Sequence, residues 1–125
     1  MIKIGDIMEL KDLMQKNNFV VLGNTIDSEK YAAKIKNRLL ESGYNAVGVY
    51  KELTSINDTP YDIDVLVLCI HPSKTIGYLT ECKKNIPAVV IQPGAESEEI
   101  YNYLNNHNIP FINGCVLVGL SLYKK

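Results

Sequence analysis

Apolar runs alternate with amphipathic stretches along the 125-residue chain. The clearest run, residues 64–70, is almost continuously apolar, which is typical of a strand buried on both faces of a parallel sheet. Strands are predicted, in chain order, at residues 19–22, 44–49, 64–70, 88–91 and 109–112.

The segments between these strands carry apolar residues at helical spacing. A cap at Asp27 or Ser28 is expected to begin the helix after the first strand. Tyr31 is expected on the apolar face of that helix, and Gly43 is expected to end it. Pro72 is suited to the first turn of the helix that follows the third strand. Further helices are predicted at residues 7–17 and 97–106.

Regular alternation of buried strands and helices predicts the fold class. We expect a Rossmann-like three-layer α/β/α sandwich around a five-stranded parallel sheet, with residues 1–125 forming a single domain. Ligands of such sheets bind outside the carboxyl ends of the strands, where the strand order reverses. The residues that follow each strand are therefore the candidates for a site.

Composition excludes several classes of function. The formal net charge is −1 and the chain has no long basic run, so nucleic acid is not an expected partner. The first eleven residues include Asp6 and Glu9 and lack a signal-peptide pattern, and no apolar stretch is long enough for a membrane span, so a cytoplasmic protein is expected. Cys69, Cys82 and Cys115 are odd in number and widely spaced, which predicts free thiols and no metal site.

The loop after the first strand has features of an anion-binding turn. Gly23 permits a tight turn there, and backbone N–H groups next to a helix start can face an anion. Asn24, Thr25 and Ser28 add hydrogen-bonding side chains, and Lys30 can place its ammonium group on a phosphate. The alternative is an ordinary strand-to-helix turn, since the loop has only one glycine of the G-x-G-x-x-G pattern.

The second strand ends in Val49, Tyr50 and Lys51. Dinucleotide folds that use NAD place an acidic residue here, to hold the ribose hydroxyls. A lysine instead favours a ribose that carries a phosphate, as in NADP or coenzyme A, and Tyr50 can stack on adenine. The alternative is a solvated lysine beside Glu52.

The third and fourth strands also end in candidate site residues. Ile70 and His71 lie at the rim of the expected cleft, where His71 either meets a ligand or caps the next helix. Gln92 can point into the cleft, and the backbone amides of Gly94 and Ala95 can meet a ligand.

Five segments, in this order, resemble the small stand-alone coenzyme A-binding protein family, whose fold matches the nucleotide-binding domain of the succinyl-CoA ligase alpha subunit. They are residues 20–25, 39–44, 62–65, 91–95 and 113–115. The resemblance implies a diphosphate on residues 23–28 near Lys30 and an adenosine near residues 49–51. It also implies a pantetheine arm that runs past Ile70, His71 and Gln92. The family usually has Val-Asn-Pro where this chain has Val49, Tyr50 and Lys51.

Cys115 follows the fifth strand and is expected near the end of the pantetheine arm. Its thiol either contacts that arm, forms a mixed disulfide with the coenzyme A sulfur, or acts as a small buried hydrophobe.

Three functions follow from these patterns. The first is non-catalytic binding of coenzyme A or an acyl-CoA, because no catalytic set of residues is recognisable. The alternatives are an NADP-binding protein or small oxidoreductase, and a regulatory or scaffold domain that has lost its ligand. The apolar tail at residues 116–122 is a candidate homodimer contact.

Overall fold

The computed structural model describes residues 8–125, so Asp6 and Ile7, which entered the sequence argument, lie outside the described residues. All neighbouring strands of the sheet pair in parallel, in the order β2-β1-β3-β4-β5. The predicted five-stranded parallel sheet is thereby confirmed. The strands are β1 (Asn18–Gly23), β2 (Asn45–Tyr50), β3 (Val65–Leu68), β4 (Val89–Ile91) and β5 (Phe111–Asn113).

Successive strand residues point to opposite sides of the sheet, so each face has its own apolar surface. Helices cover both of these surfaces. Phe19 and Val21 of β1 pack on one side, and Val20 and Leu22 pack on the other. The helices are α1 (Leu10–Leu13), α2 (Tyr31–Glu41), α3 (Pro72–Glu81), α4 (Glu98–Asn106) and α5 (Val116–Tyr123). α1, α2 and α5 share the core of the first face, whereas α3 and α4 share that of the second, which confirms the three-layer Rossmann-like fold.

α2 begins later than the sequence pattern predicted. Its N-cap is Lys30, which makes no side-chain capping bond, so the prediction of Asp27 or Ser28 as the cap was wrong. The Asp27 carboxylate instead accepts a hydrogen bond from the Glu29 N–H within the preceding loop. Tyr31 is consequently the first helical residue, and its side chain is 62% exposed rather than buried in the core. Gly43, at φ +88°, ends the helix as predicted.

The apolar tail of the chain forms a helix of its own. α5 packs on α1 and α2, and Gly119 allows the close approach, since a Cβ there would lie 3.0 Å from Met14 Sδ. Val118 and Leu122 of α5 remain exposed. The homodimer contact at residues 116–122 stays a prediction. Within residues 8–125, no helix is both long enough and apolar enough to cross a bilayer.

Candidate functional site

The strand order reverses between β1 and β3, which opens a crevice at their carboxyl ends. Gly23 closes β1 at this point. A Cβ on residue 23 would lie 2.4 Å from the Cys69 carbonyl oxygen and 2.7 Å from Ala32 Cβ. Glycine is therefore required by the close approach of β3 and α2, and not by the tight turn that the sequence suggested.

A depression of about 380 Å³ lies at this crevice, and we call it the basic cleft. Its wall combines the loop after β1, the first turn of α2, and the ends of β2 and β3. It contains two lysines and no carboxylate. The lining residues are Asn24, Lys30, Tyr31, Ala32, Tyr50, Lys51, Cys69, Ile70 and His71.

A cavity of about 160 Å³ adjoins the basic cleft, and we call it the thiol cavity. Tyr31 and Cys69 line both, while Gln92, Pro93 and Cys115 line the cavity alone. A cavity of about 150 Å³ is large enough for a benzene-sized group. The two spaces share lining residues, and together we call them the groove at the carboxyl edge of the sheet.

Gln92 is fixed in the wall of the thiol cavity. It is buried, and its Oε1 accepts a 2.7 Å hydrogen bond from the Val116 N–H at the start of α5. The side chain thus ties β4 to α5 and faces the groove, as the sequence suggested.

The two thiols of the cavity differ from surface cysteines. Burial raises the pKa of the Cys69 thiol to about 11, and the nearby Cys115 adds to that shift. Cys69 is therefore protonated at neutral pH. Cys115 is half-buried and free, and it is the N-cap residue of α5.

His71 is the N-cap of α3, which confirms the capping alternative. Its Nδ1 accepts a hydrogen bond from the Ser73 N–H, at 3.2 Å, and lies 2.7 Å from Ser73 Oγ. Pro72 follows in the first helical turn as predicted. The ring remains exposed at the rim of the basic cleft.

Tyr50 is the centre of a cationic cluster at the end of β2. Lys74 Nζ, on α3, donates a 3.0 Å hydrogen bond to the Tyr50 hydroxyl. The ammonium groups of Lys51 and Lys74 each lie 4.8 Å from the centroid of the Tyr50 ring. The Lys74 hydrogen bond, followed by the charge of Lys51, lowers the pKa of the Tyr50 phenol.

Sequence reasoning missed two residues that line this groove and one that contacts its Tyr50. Tyr31 was expected in the core, and Cys69 was taken only as a free thiol. Lys74 was overlooked, although its place in the first turn of α3, beside the rim residue His71, was a usable signal.

Thr25 does not face the basic cleft, contrary to the prediction. Its hydroxyl donates to Glu52 Oε1 at 3.0 Å, and the same oxygen accepts from the Gly48 N–H and from Lys36 Nζ. Gly48 makes room for this contact, since a Cβ there would lie within 1.9 Å of Thr25 Oγ1. The ion pair of Glu52 is with Lys36, so Lys51 is not neutralised by Glu52.

The loop amides are less available than the sequence suggested. Asn24 Oδ1 accepts hydrogen bonds from the N–H groups of Ile26 and Asp27, so these amides already have a partner within the loop. Ser28 is exposed and does not line the groove. The first turn of α2 has no side-chain cap at Lys30, and uncapped N–H groups at a helix start can face an anion.

Three further candidates lie outside the groove. Val49 is fully buried in the core. The Gly94 N–H donates to Glu96 Oε2, and the Ala95 N–H donates to the Gln92 carbonyl oxygen. These two amides are already hydrogen-bonded within their own turn, which removes the reason for expecting them to meet a ligand.

Comparison with known proteins identifies the family of the chain. The sequence profile of a family described as "CoA binding domain" matches residues 17–121. No protein with a curated description matches the chain.

Three solved structures share the fold. A conserved hypothetical protein from Pyrococcus furiosus is 27% identical, with a TM-score of 0.74, over 82% of this chain and 98% of that one. A protein from Thermus thermophilus is 24% identical, with a TM-score of 0.81, over 91% and 98%. A hypothetical protein from Pyrococcus horikoshii OT3 is 21% identical, with a TM-score of 0.80, over 97% and 96%.

Proposed function

Because the chain belongs to the CoA binding domain family, we propose that it binds coenzyme A or an acyl-CoA in the groove at the carboxyl edge of its sheet, without catalysing a reaction. The observation that carries the proposal is the graded polarity of this groove. Lysines line the basic cleft, and half-buried thiols line the thiol cavity. Coenzyme A has the same polarity, with phosphates at one end and a thiol at the other.

The diphosphate is assigned to the first turn of α2. The N–H groups at the start of a helix have no partner within the helix, and the helix dipole places partial positive charge there. No side chain caps this turn, and Ala32 in it lines the basic cleft. Lys30 adds a full positive charge at the same place.

The pantetheine arm is assigned to the passage between the two spaces. It would run past Ile70 and between Tyr31 and Cys69 into the thiol cavity. The size of that cavity suits the terminal thiol-bearing segment, or a small acyl group, rather than a long acyl chain.

Two features support binding without chemistry. The Nδ1 of His71 is engaged in capping α3, so this ring has a structural role. The raised pKa of Cys69 keeps that thiol protonated, whereas the thiolate is the nucleophilic form.

Native mass spectrometry of the protein as purified, followed by calorimetric titration under reducing conditions, tests the proposal. Coenzyme A and acetyl-CoA are expected to bind more tightly than NADP. Lys30→Gln should weaken the binding of coenzyme A and of acetyl-CoA by about fivefold, because one phosphate contact is lost. Lys16→Gln, an exposed lysine just before β1 at the other edge of the sheet, is the matched control and should change nothing. Tighter binding of NADP would favour the oxidoreductase alternative, and the absence of any bound nucleotide would favour a domain that has lost its ligand.

A mixed disulfide at Cys115 is a further expectation of this assignment. The Cys115 thiolate would attack oxidised coenzyme A, forming a protein–coenzyme A disulfide and releasing one coenzyme A thiol. Intact mass should rise by one coenzyme A, reversibly with reductant, in the wild type and in the Cys82→Ser control. An adduct that persists in Cys115→Ser would contradict the assignment.

A further inference from the structure

Lys51 and Lys74 form a pair of like charges held on one aromatic ring. Both ammonium groups lie 4.8 Å from the Tyr50 centroid, and Lys74 is also hydrogen-bonded to the Tyr50 hydroxyl. The two lysines come from different elements, the end of β2 and the first turn of α3. Their convergence is therefore a product of the fold and not of local sequence.

The pair lacks a carboxylate partner within the described part of the chain. The ion pairs there join Lys11 to Glu9 and Lys36 to Glu52. Glu52 is adjacent to Lys51 in sequence, but its side chain turns to Thr25, Gly48 and Lys36. Both ammonium groups contact the same ring without a carboxylate counter-charge among the described residues, so an anion bound beside this ring would gain attraction from two positive charges.

The backbone is strained at Tyr50, the residue that carries this ring. Tyr50 has φ +124°, a region that L side chains rarely adopt. The residue lies in a tight connection: the Tyr50 N–H donates to the Leu53 carbonyl oxygen, and the Leu53 N–H donates to the Gly48 carbonyl oxygen. Such strain costs roughly 1–3 kcal/mol and is concentrated at functional sites.

The position of the pair defines the chemistry of its ligand. In Rossmann-type folds the ribose next to adenine lies at the end of the second strand. We propose that Lys51 and Lys74, aligned by Tyr50, bind a phosphomonoester on the ribose of an adenine nucleotide and so select nucleotides that carry this group. The inference rests on the proposed function, and it adds Lys74 and Tyr50 as residues that determine specificity.

Calorimetric titration with coenzyme A and with dephospho-coenzyme A, which lacks only the ribose phosphate, tests the inference. The wild type should prefer coenzyme A by at least about tenfold. Lys74→Gln and Lys51→Gln should each weaken coenzyme A binding by about fivefold and leave dephospho-coenzyme A binding within about twofold. Tyr50→Phe should reproduce part of the effect of Lys74→Gln, because it removes the hydroxyl that positions Lys74. Lys83→Gln, an exposed lysine just after α3, is the matched control and should affect neither ligand.

The outcomes separate this inference from the proposed function. Equal affinity of the wild type for the two ligands, or equal weakening of both by Lys74→Gln, would overturn the phosphate assignment while leaving coenzyme A binding intact. Binding of neither ligand would overturn the proposed function and the inference with it. Adenosine 3′,5′-bisphosphate and adenosine 2′,5′-bisphosphate then show whether the pair takes a 3′-phosphate, as in coenzyme A, or a 2′-phosphate, as in NADP.

Discussion

The two edges of the sheet both carry charged side chains and open depressions, yet they differ in what those charges do. At the amino edge a depression of about 460 Å³, larger than the basic cleft, is lined in part by Asp64 and Lys84. Asp64 Oδ2 accepts from the N–H groups of Asn17 and Asn18, at 3.2 and 2.9 Å. Lys84 Nζ donates to the carbonyl oxygens of Thr59 and Tyr61, at 2.7 and 2.8 Å. The charged side chains of Asp64 and Lys84 therefore bond to backbone groups of the protein itself.

The carboxyl edge has the opposite arrangement. Lys30, Lys51 and Lys74 form no ion pair with any residue in 8–125, and Tyr50 holds a strained φ beside them. The proposed binding site is therefore not the larger of these two depressions. Lysines around the basic cleft that have no carboxylate partner among residues 8–125 favour the carboxyl edge as the proposed site, because such charges remain to bind an anion.

The largest expected effect is at Gly23, where a substitution should lower both the stability of the fold and the affinity for coenzyme A. Gly23→Ala would drive a Cβ into the Cys69 carbonyl and Ala32, so we expect the free energy of unfolding to fall by about 3 kcal/mol. Coenzyme A affinity should fall with it, since this contact joins β1, β3 and α2. Chemical denaturation and calorimetry measure the two effects. Gly77→Ala is the matched control: no atom lies within 4 Å of a Cβ there, and α3 should gain up to about 1 kcal/mol. Equal stability of the two variants would contradict the close-packing account.

The second effect is a separation of stability from binding. Asp64→Ala removes an acceptor for two backbone N–H groups at the amino edge and should lower the free energy of unfolding by about 2 kcal/mol. Coenzyme A affinity should remain within about twofold of the wild type, the reverse of the pattern expected for Lys30→Gln. If Asp64→Ala abolished binding while the protein stayed folded, the comparison between the edges would be wrong.

The smallest effect is a loss of stability at high pH that originates at the amino edge. Burial, with a smaller contribution from the charge of Glu52, raises the pKa of Tyr61 to about 12, from an ordinary value near 10. A raised pKa in the folded state stabilises the protein below about pH 10, and this contribution is lost as the pH rises towards about 12. The Tyr61 hydroxyl donates to the Phe19 carbonyl oxygen. Tyr61→Phe removes this hydrogen bond and should lower the free energy of unfolding at neutral pH. It should also reduce the fall in that free energy between pH 8 and pH 11. Chemical denaturation at pH 8 and pH 11 measures how the free energy of unfolding changes with pH. An unchanged dependence in the variant would contradict the assignment to Tyr61.

The sequence was sufficient for the layers of the fold and for much of the groove. The pattern of apolar segments predicted all five strands, and the rule about carboxyl ends predicted that Asn24, Lys30, Tyr50 and Lys51 lie at the cleft, which they line. These inferences depend on local patterns, which a single chain displays directly.

What the sequence missed depends on contacts between distant residues. Thr25 is paired with Glu52, 27 positions away, and Lys74 meets Tyr50 across 24 positions. The late start of α2 has a local cause instead: Asn24 Oδ1 accepts hydrogen bonds from the N–H groups of Ile26 and Asp27 in the loop, and Tyr31 is the first helical residue. Side-chain hydrogen bonds such as these do not alter the periodic pattern of apolar residues from which the sequence was interpreted.

Backbone hydrogen–deuterium exchange with and without coenzyme A tests most directly that ligand binding belongs to the carboxyl edge. The account predicts slower exchange at residues 30–33, 50–51 and 70–74, with unchanged exchange at residues 59–64 and 84–87 of the amino edge. Protection at the amino edge instead, or no protection at either edge, would contradict it.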